Sequence, residues 1–124
     1  MSVATFNLDI NKFAKAIGVE VEVVTRKIAF SLYSDIVQST PVDTGRAKAN
    51  WNVGFGRIDD QVNKNTRFTP VRFPKGSGKR PIYITNHLPY IGVLENGSSK
   101  QAPSGMVAIS MLNLKARLSS VIRW

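Results

Sequence analysis

Apolar residues recur at steps of three or four along the first third of the chain and predict one long helix over residues 9–38. With 3.6 residues per turn, this spacing gathers the apolar side chains on one face. They are Ile10, Phe13, Ile17, Val21, Val24, Ile28, Leu32 and Ile36. Gly18 interrupts the run and costs a helix interior roughly 1 kcal/mol relative to alanine, so a short helix followed by a longer one is the alternative. The β-branched residues at 19–24 leave a strand there as a less favoured interpretation.

Two short strands follow a turn that is punctuated by proline and glycine. Pro41 ends the helix, because the residue before a proline avoids the α region. The turn continues to residue 45 and leads to a short helix over 46–49. Residues 50–57 then alternate between apolar and polar or small side chains, which predicts a strand with one exposed face. Residues 81–85 are rich in β-branched and aromatic side chains and predict a second strand.

The C-terminal part of the chain predicts two further helices. Residues 89–95 are expected to form a short helix closed by Gly97, which suits a left-handed C-terminal cap. A polar turn over 98–104 precedes a final amphipathic helix at 105–122. Its apolar stripe consists of Val107, Met111, Leu114, Leu118 and Ile122. The predicted fold is a single α+β domain over 1–124, with a long N-terminal helix and a C-terminal helix packed on a small antiparallel sheet.

Residues 57–80 have no clear period and form a long basic loop. Seven basic and two acidic side chains give this insert a charge of +5, within +9 for the whole chain. Long irregular inserts in compact domains are usually functional or mobile, although residues 67–73 can also pair as a strand in a hairpin. The side chains that we expect to contact another subunit or partner are Arg67, Phe68, Arg72, Phe73, Lys75, Lys79 and Arg80.

The basic insert supports two functional interpretations. In the favoured one, it contacts a neighbouring subunit and becomes ordered on assembly. In the other, it binds nucleic acid, since single-strand binders combine cations with stacked aromatic rings. No recognised nucleic-acid motif accompanies it. The sequence Gly-Ser-Gly-Lys at 76–79 lacks the spacing of a phosphate-binding loop.

Composition excludes several kinds of site. The chain has no Cys and a single His, His87, so neither a structural zinc site nor a Cys–His nucleophile pair can be built. We expect no metal and no cofactor. Neither a secretory signal nor an apolar run long enough to span a bilayer is visible. We therefore expect a protein made in the cytoplasm, with no membrane partner.

One short motif has a catalytic counterpart. Asp43-Thr44-Gly45 matches the turn in which aspartic proteases pair two aspartates to activate water. Here the motif follows an amphipathic helix and a proline instead of an apolar strand. We therefore interpret Asp43 as a turn cap and Gly45 as a permissive backbone position. We predict that the protein is not an enzyme.

Two segments together resemble a known family. The first is Ser39-Thr40-Pro41-Val42-Asp43-Thr44-Gly45-Arg46-Ala47, followed by Asn50-Trp51. The second contains Asn86, then Pro89-Tyr90-Ile91, then the run from Leu94-Glu95-Asn96-Gly97 to Ala102-Pro103-Ser104-Gly105. In this order they are similar to the phage HK97 gp10-like family of tail components, which includes neck and tail-completion proteins. The chain departs from the family pattern at Asn96, where an aromatic is common, and in the Gly- and Lys-rich stretch 75–80.

The resemblance implies a structural virion protein at the head-to-tail junction or the top of the tail. Such a subunit would form a homo-oligomeric ring, for example a hexamer or a dodecamer, around the DNA channel. Its partners would be further copies of itself, other head-tail connector or tail proteins and, non-specifically, the genomic DNA. The motif turns are implied to shape the subunit, and we expect the two turns to pack against each other. Their residues are Pro41, Asp43, Thr44, Gly45, Trp51, Glu95, Gly97, Pro103 and Gly105.

Overall fold

A computed structural model of the chain describes residues 10–41, 45–64, 67–91 and 105–119. The predicted α+β class is confirmed, with helices packed against a small antiparallel sheet. The elements in chain order are helix α1 (Ile10–Ile17), helix α2 (Val21–Ser39), helix α3 (Arg46–Ala49), strand β1 (Asn52–Phe55), a 3₁₀ turn (Ser77–Lys79), strand β2 (Ile82–Thr85) and helix α4 (Met106–Ser119).

The predicted first helix is divided in two at Gly18. Its backbone is left-handed, with φ +71°, and the N–H of Val19 reaches back to the carbonyl of Ala14 at 3.1 Å. This is the Schellman pattern that satisfies the last carbonyls of a helix. The break turns Ile17 and Val21 away from the predicted apolar face, and they are 37% and 43% exposed. The strand considered at 19–24 is wrong, because α2 begins inside that range.

Helix α2 joins two hydrophobic clusters. Toward its C-terminal end, Tyr33, Ile36 and Val37 pack in a main cluster, whose other members are Ala47, Trp51, Val53, Leu88, Ile91 and Met106. Toward its N-terminal end, Val24 belongs to a second cluster with Phe13, Ala14, Leu114 and Leu118. Leu32 packs against both clusters. The apolar interior is therefore continuous along α2, from α1 through α4 to the sheet.

The two strands form an antiparallel pair in which Val53 faces Ile84 and Phe55 faces Ile82. The N–H of Gly56 extends the ladder with a 2.7 Å bond to the carbonyl of Pro81. The expectation that one face of β1 is exposed is wrong at Gly54, which is buried. A Cβ there would lie 1.9 Å from the carbonyl oxygen of Arg57. The chain leaving β1 folds back over this face, and only glycine allows so close an approach.

Helix α4 packs against α2. Leu114 and Leu118 are buried as the apolar stripe predicted, and Met106 at the start of the helix is fully buried in the main cluster. On the outer edge, the Arg117 guanidinium pairs with the Asp35 carboxylate of α2. None of the helices in the four described ranges combines the length and the hydropathy of a bilayer-spanning segment.

The end of α2 is tied to β1 by a buried hydrogen bond. The indole Nε1–H of Trp51 donates to Thr40 Oγ1 at 2.8 Å, and that hydroxyl donates to the carbonyl of Ile36 at 2.6 Å. Trp51 and Thr40 are 7% and 3% exposed. Trp51 therefore fills the core beneath the long helix.

Replacing Thr40 by valine should destabilise the fold. Thr40→Val keeps the side-chain volume but leaves the buried Trp51 Nε1–H without its acceptor, which costs about 1–3 kcal/mol. Urea unfolding followed by far-UV circular dichroism, a signal that does not depend on Trp51, measures the loss. In the matched double variant Thr40→Val/Trp51→Phe no orphaned donor remains, so its cost should fall short of the sum of the two single costs. Additive costs would show that the hydrogen bond contributes nothing.

Candidate assembly surface

The insert between the two strands is fastened to its own subunit at several points, beginning at Asn63. The amide of the fully buried Asn50 donates to the carbonyl of Asn63 at 3.1 Å, and the Asn63 N–H donates back to Asn50 Oδ1 at 2.9 Å. Asn50 Nδ2 also donates to the carbonyl of Arg46 at 2.9 Å. Buried amides keep all their polar atoms paired only if the surrounding chain is fixed. This reciprocal pair therefore sets the path of the insert where it leaves β1.

A second fastening holds residues 58–62 on the outer face of the sheet. Asn52 Nδ2 donates to the carbonyls of Asp59 at 3.1 Å and Gln61 at 2.7 Å. The Thr85 hydroxyl of the neighbouring strand donates to the same Asp59 carbonyl at 3.0 Å. The Asp59 carboxylate in turn accepts the N–H of Gln61 at 3.1 Å. The backbone of this stretch is thus held by both strands.

The second half of the insert crosses to α2 and is held by Glu22. Its carboxylate accepts the N–H of Gly76 at 3.0 Å and the N–H of Gly78 at 2.9 Å. Arg26 Nε donates to the same carboxylate at 3.2 Å, one helical turn further on. A Cβ on Gly78 would lie 2.1 Å from the carbonyl oxygen of Glu22. Glycine is therefore required where the 3₁₀ turn touches the helix.

The Glu22 carboxylate is stabilised in its charged form. Partial burial raises the pKa of Glu22, but the hydrogen bonds from Gly78, Gly76 and Arg26 together outweigh that effect, so its pKa lies below the ordinary value of 4.5. Hydrogen bonds to a carboxylate favour its ionised state. Ionisation of Glu22 therefore strengthens its hydrogen bonds to the insert.

Between these fastenings, Phe73 inserts into an aromatic cluster. Its ring meets Phe30 at a centroid distance of 5.5 Å and Phe55 at 5.6 Å, both edge to face, and Tyr33 at 5.7 Å. The N–H of Val71 donates to the Tyr33 hydroxyl at 3.3 Å. Burial raises the pKa of Tyr33 more than this hydrogen bond lowers it. The phenol is therefore protonated at neutral pH.

The residues predicted from the sequence as an interface divide into two groups. The five cations Arg67, Arg72, Lys75, Lys79 and Arg80 are exposed. Phe68 and Phe73 are partly buried and pack against the main cluster. The hairpin strand considered for 67–73 is wrong, because this stretch has no strand and is held by side-chain contacts instead. The insert thus presents its charges outward and its aromatic rings inward.

A groove opens between α2 and the insert. Its cavity volume is about 860 Å³, and its lining residues are Arg26, Lys27, Phe30, Val71, Arg72, Phe73, Pro74 and Lys75. Of these, only Arg72, Phe73 and Lys75 belong to the predicted interface set. Lys27 and Phe30 were missed, although Phe30 lies off the apolar stripe of its helix. A large apolar side chain on the polar face of an amphipathic helix was the available signal.

The described motif residues lie in the core or at the starts of helices. Pro41 and Trp51 are buried, and Gly45 and Gly105 have positive φ angles of +76° and +81° at the starts of α3 and α4. The predicted motif residues Asp43, Thr44, Glu95, Gly97 and Pro103 lie outside the described residues. The helix predicted over 89–95 also lies outside them, apart from its first residues. The packing predicted between the two turns involves the same undescribed residues.

The two motif segments do meet through residues that flank these turns. The buried Asn86 donates from Nδ2 to the carbonyl of Ala47 at 3.0 Å and accepts the N–H of Leu88 at 3.1 Å. Ala47, Leu88 and Met106 all belong to the main cluster. Asn86 was part of the resemblance, and the structure gives it a physical role in joining α3 to the end of β2.

The comparison with known families identifies the class of protein as a bacteriophage tail component. The family whose model matches residues 4–97 is the HK97-gp10-like family, described as "Bacteriophage HK97-gp10, putative tail-component". Because the match covers most of the 124 residues, the chain belongs to this family and is a structural component of the virion tail. The resemblance seen in the sequence is confirmed. No curated protein and no solved structure matches the chain significantly.

Replacing Glu22 by glutamine should release the insert from α2. Glu22→Gln keeps the shape but removes the charge, and its NH₂ group cannot accept a hydrogen bond from a glycine N–H. Hydrogen exchange at the Gly76 and Gly78 amides should accelerate while exchange in the main cluster stays unchanged. The matched control is Glu20→Gln, since Glu20 is exposed and makes no side-chain cap to α2. If the Gly76 and Gly78 amides exchanged at the same rate in Glu22→Gln as in Glu20→Gln, the role of the Glu22 carboxylate would be contradicted.

The same contact should depend on pH in the acid range. Because the pKa of Glu22 in the folded protein is lower than its ordinary value of 4.5, ionisation stabilises the contact above that pH, and the stabilisation is lost as pH falls through the lowered value. An NMR titration should therefore show the Gly76 and Gly78 amide signals moving together below pH 4.5. A midpoint above the ordinary value would contradict the prediction.

Proposed function

We propose that this protein is a neck or tail-completion subunit of a tailed phage, which forms a closed ring around the DNA channel in the head-tail connector region. Its partners are further copies of itself and other connector or tail proteins, and the genomic DNA passes through the ring without sequence-specific contact. The role is geometric, with no catalytic step. Family membership supports the tail assignment, and the shape and charge of the insert support the finer role.

The observation that carries this proposal is the way in which the insert is held. Glu22 and Asn50 fix its backbone to the subunit, while its cations face solvent. Like charges placed together on a fixed surface repel each other, and an opposite charge nearby offsets the repulsion. In a structural subunit, a neighbouring subunit can supply that opposite charge at the interface. The insert is therefore suited to contact between subunits.

The rival function, a nucleic-acid-binding protein that uses the insert, receives less support. Base stacking needs aromatic faces that are open to solvent. The insert's own rings do not meet this need, because Phe73 is surrounded by three rings and Phe68 packs on the main cluster. An exposed ring beside the cations, Phe30, belongs to α2. The exposed cations remain available for phosphates. In a ring they would give non-specific, salt-dependent attraction to the DNA in the channel.

The purified protein should form a closed ring of defined copy number. Head-to-tail contacts close into a ring when the rotation per subunit divides a full turn. Native mass spectrometry gives the number of copies, and negative-stain imaging shows whether a central channel exists. If the protein stayed monomeric at the concentrations reached in an infected cell and were absent from virions, the proposal would be wrong.

Charge reversal on the insert should impair assembly but not folding. Arg72, Lys75 and Lys79 are all exposed, so the triple replacement by glutamate should leave the melting temperature of the isolated subunit nearly unchanged. Infectious particles should fall sharply when only this variant is supplied. The control Arg72→Lys/Lys75→Arg/Lys79→Arg preserves the charges and should assemble. Normal yields from the reversed variant would refute a role for these cations in the particle.

A further inference from the structure

The groove between α2 and the insert combines an exposed aromatic ring with a basic rim. Phe30 is 52% exposed although its ring packs at right angles to that of Phe73. Lys27, Arg72 and Lys75 surround it and are exposed. Within the described part of the chain none of these three cations takes part in an ion pair. Such a groove suits an occupant that carries apolar side chains beside a negative charge.

The chain itself carries a surface strip of that chemistry at residues 58–62. Ile58 and Val62 are 54% and 47% exposed, although both are large apolar residues. Asp60 lies exposed between them. We call residues 58–62 the acidic strip. Its backbone is already held by Asn52, so little conformational freedom would be lost when it binds.

The groove and the acidic strip lie on opposite sides of the sheet. Side chains alternate between the two faces of a strand, and those of Val53 and Phe55 point toward the main cluster and Phe73. Asn52 and Gly54 face the other way, where they contact Asp59 and Arg57. The sheet therefore separates the strip from the groove of the same subunit, and only another molecule can join them.

We infer that the groove of one subunit binds the acidic strip of a second copy of this chain. Asp60 pairs with the basic rim, chiefly Arg72 and Lys75, while Ile58 or Val62 covers the exposed ring of Phe30. This inference rests on the proposed ring function and names the surfaces that build it. Two different patches on opposite sides of one subunit make a head-to-tail contact, which is the kind that generates a ring.

Charge reversal on each side tests the contact. Asp60→Lys alone and Arg72→Glu/Lys75→Glu alone should each raise the concentration needed for half-assembly about ten-fold or more. Combining the three changes in one chain restores opposite charges and should recover rings. The control Glu20→Lys reverses an exposed acid outside the strip and should assemble normally. Thermal melting of each variant checks that the subunit is folded.

Mixing the two single-surface variants distinguishes a head-to-tail contact from a symmetric one. A subunit with Asp60→Lys keeps a native groove, and its mate with Arg72→Glu/Lys75→Glu keeps a native strip. The mixture offers one native pairing and one pairing in which both charges are reversed, so a head-to-tail contact should build oligomers that alternate the two variants, whereas a symmetric contact would stop at heterodimers. Native mass spectrometry tells these two results apart. Ile58→Ser gives a second test that leaves every charge in place, and it should also weaken assembly.

The failure of this inference can be told apart from the failure of the proposed function. If the wild-type protein forms rings and both charge-reversed variants form them equally well, the groove–strip contact is wrong but the ring stands. If the groove variant forms rings yet loses salt-dependent binding of a short DNA duplex, the groove binds phosphates, and the inference is also overturned. If the wild-type protein does not assemble at all, the proposed function itself fails.

Discussion

A two-stranded antiparallel sheet is marginally stable at best in water, and β1 and β2 depend on α2 for a surface on which to bury their apolar face. Val53 packs with Tyr33 and Ile36 of α2, and the Trp51–Thr40 hydrogen bond fixes the end of the helix against the start of the strand. The same helix also holds α1 and α4 through the second cluster. Because α2 belongs to both clusters and also carries Glu22, it determines where the second half of the insert lies.

The insert illustrates how a long connection can be ordered without secondary structure. Closing a longer loop adds little entropic cost, since that cost grows only with the logarithm of length. Fixing each residue in one conformation costs far more, roughly 1–2 kcal/mol per residue. The Asn50–Asn63 pair, the Phe73 rings and the Glu22 carboxylate offset this cost at intervals along the insert. They fix this surface within the subunit itself, so the described part of the insert does not need assembly to become ordered, contrary to the expectation from the sequence. A surface that is already shaped loses less conformational entropy when it binds.

Much of the fold was predictable from local patterns. The apolar periods located α2 and α4, alternation and β-branched residues located both strands, and the glycine at position 18 was recognised as a possible break. Residue-level exposure near that break was not predictable, because the direction of α1 depends on how Phe13 and Ala14 reach the second cluster. Tyr33 was missed as a core residue, since it becomes buried only when Phe73 and Val71 pack on it.

The candidate site was predictable in composition but not in arrangement. Net charge identified the insert as unusual, and its cations are exposed. The contact of Glu22 with Gly76 and Gly78 joins residues more than fifty positions apart, and no local signal in the sequence links them. The two phenylalanines were expected to be available to a partner, yet burying them was more favourable than leaving them in water. Phe30, on α2, stays exposed in their place.

These positions also explain how a chain with a charge of +9 can associate with itself. Uniformly distributed positive charge would keep copies apart. Here Lys27, Arg72 and Lys75 lie around the groove, on one side of the sheet, while Asp59 and Asp60 lie on the other side. A copy that approaches head to tail meets opposite charge, whereas one that approaches groove to groove meets like charge. The division of charge by the sheet therefore favours directional assembly, and it does so before any apolar contact is made.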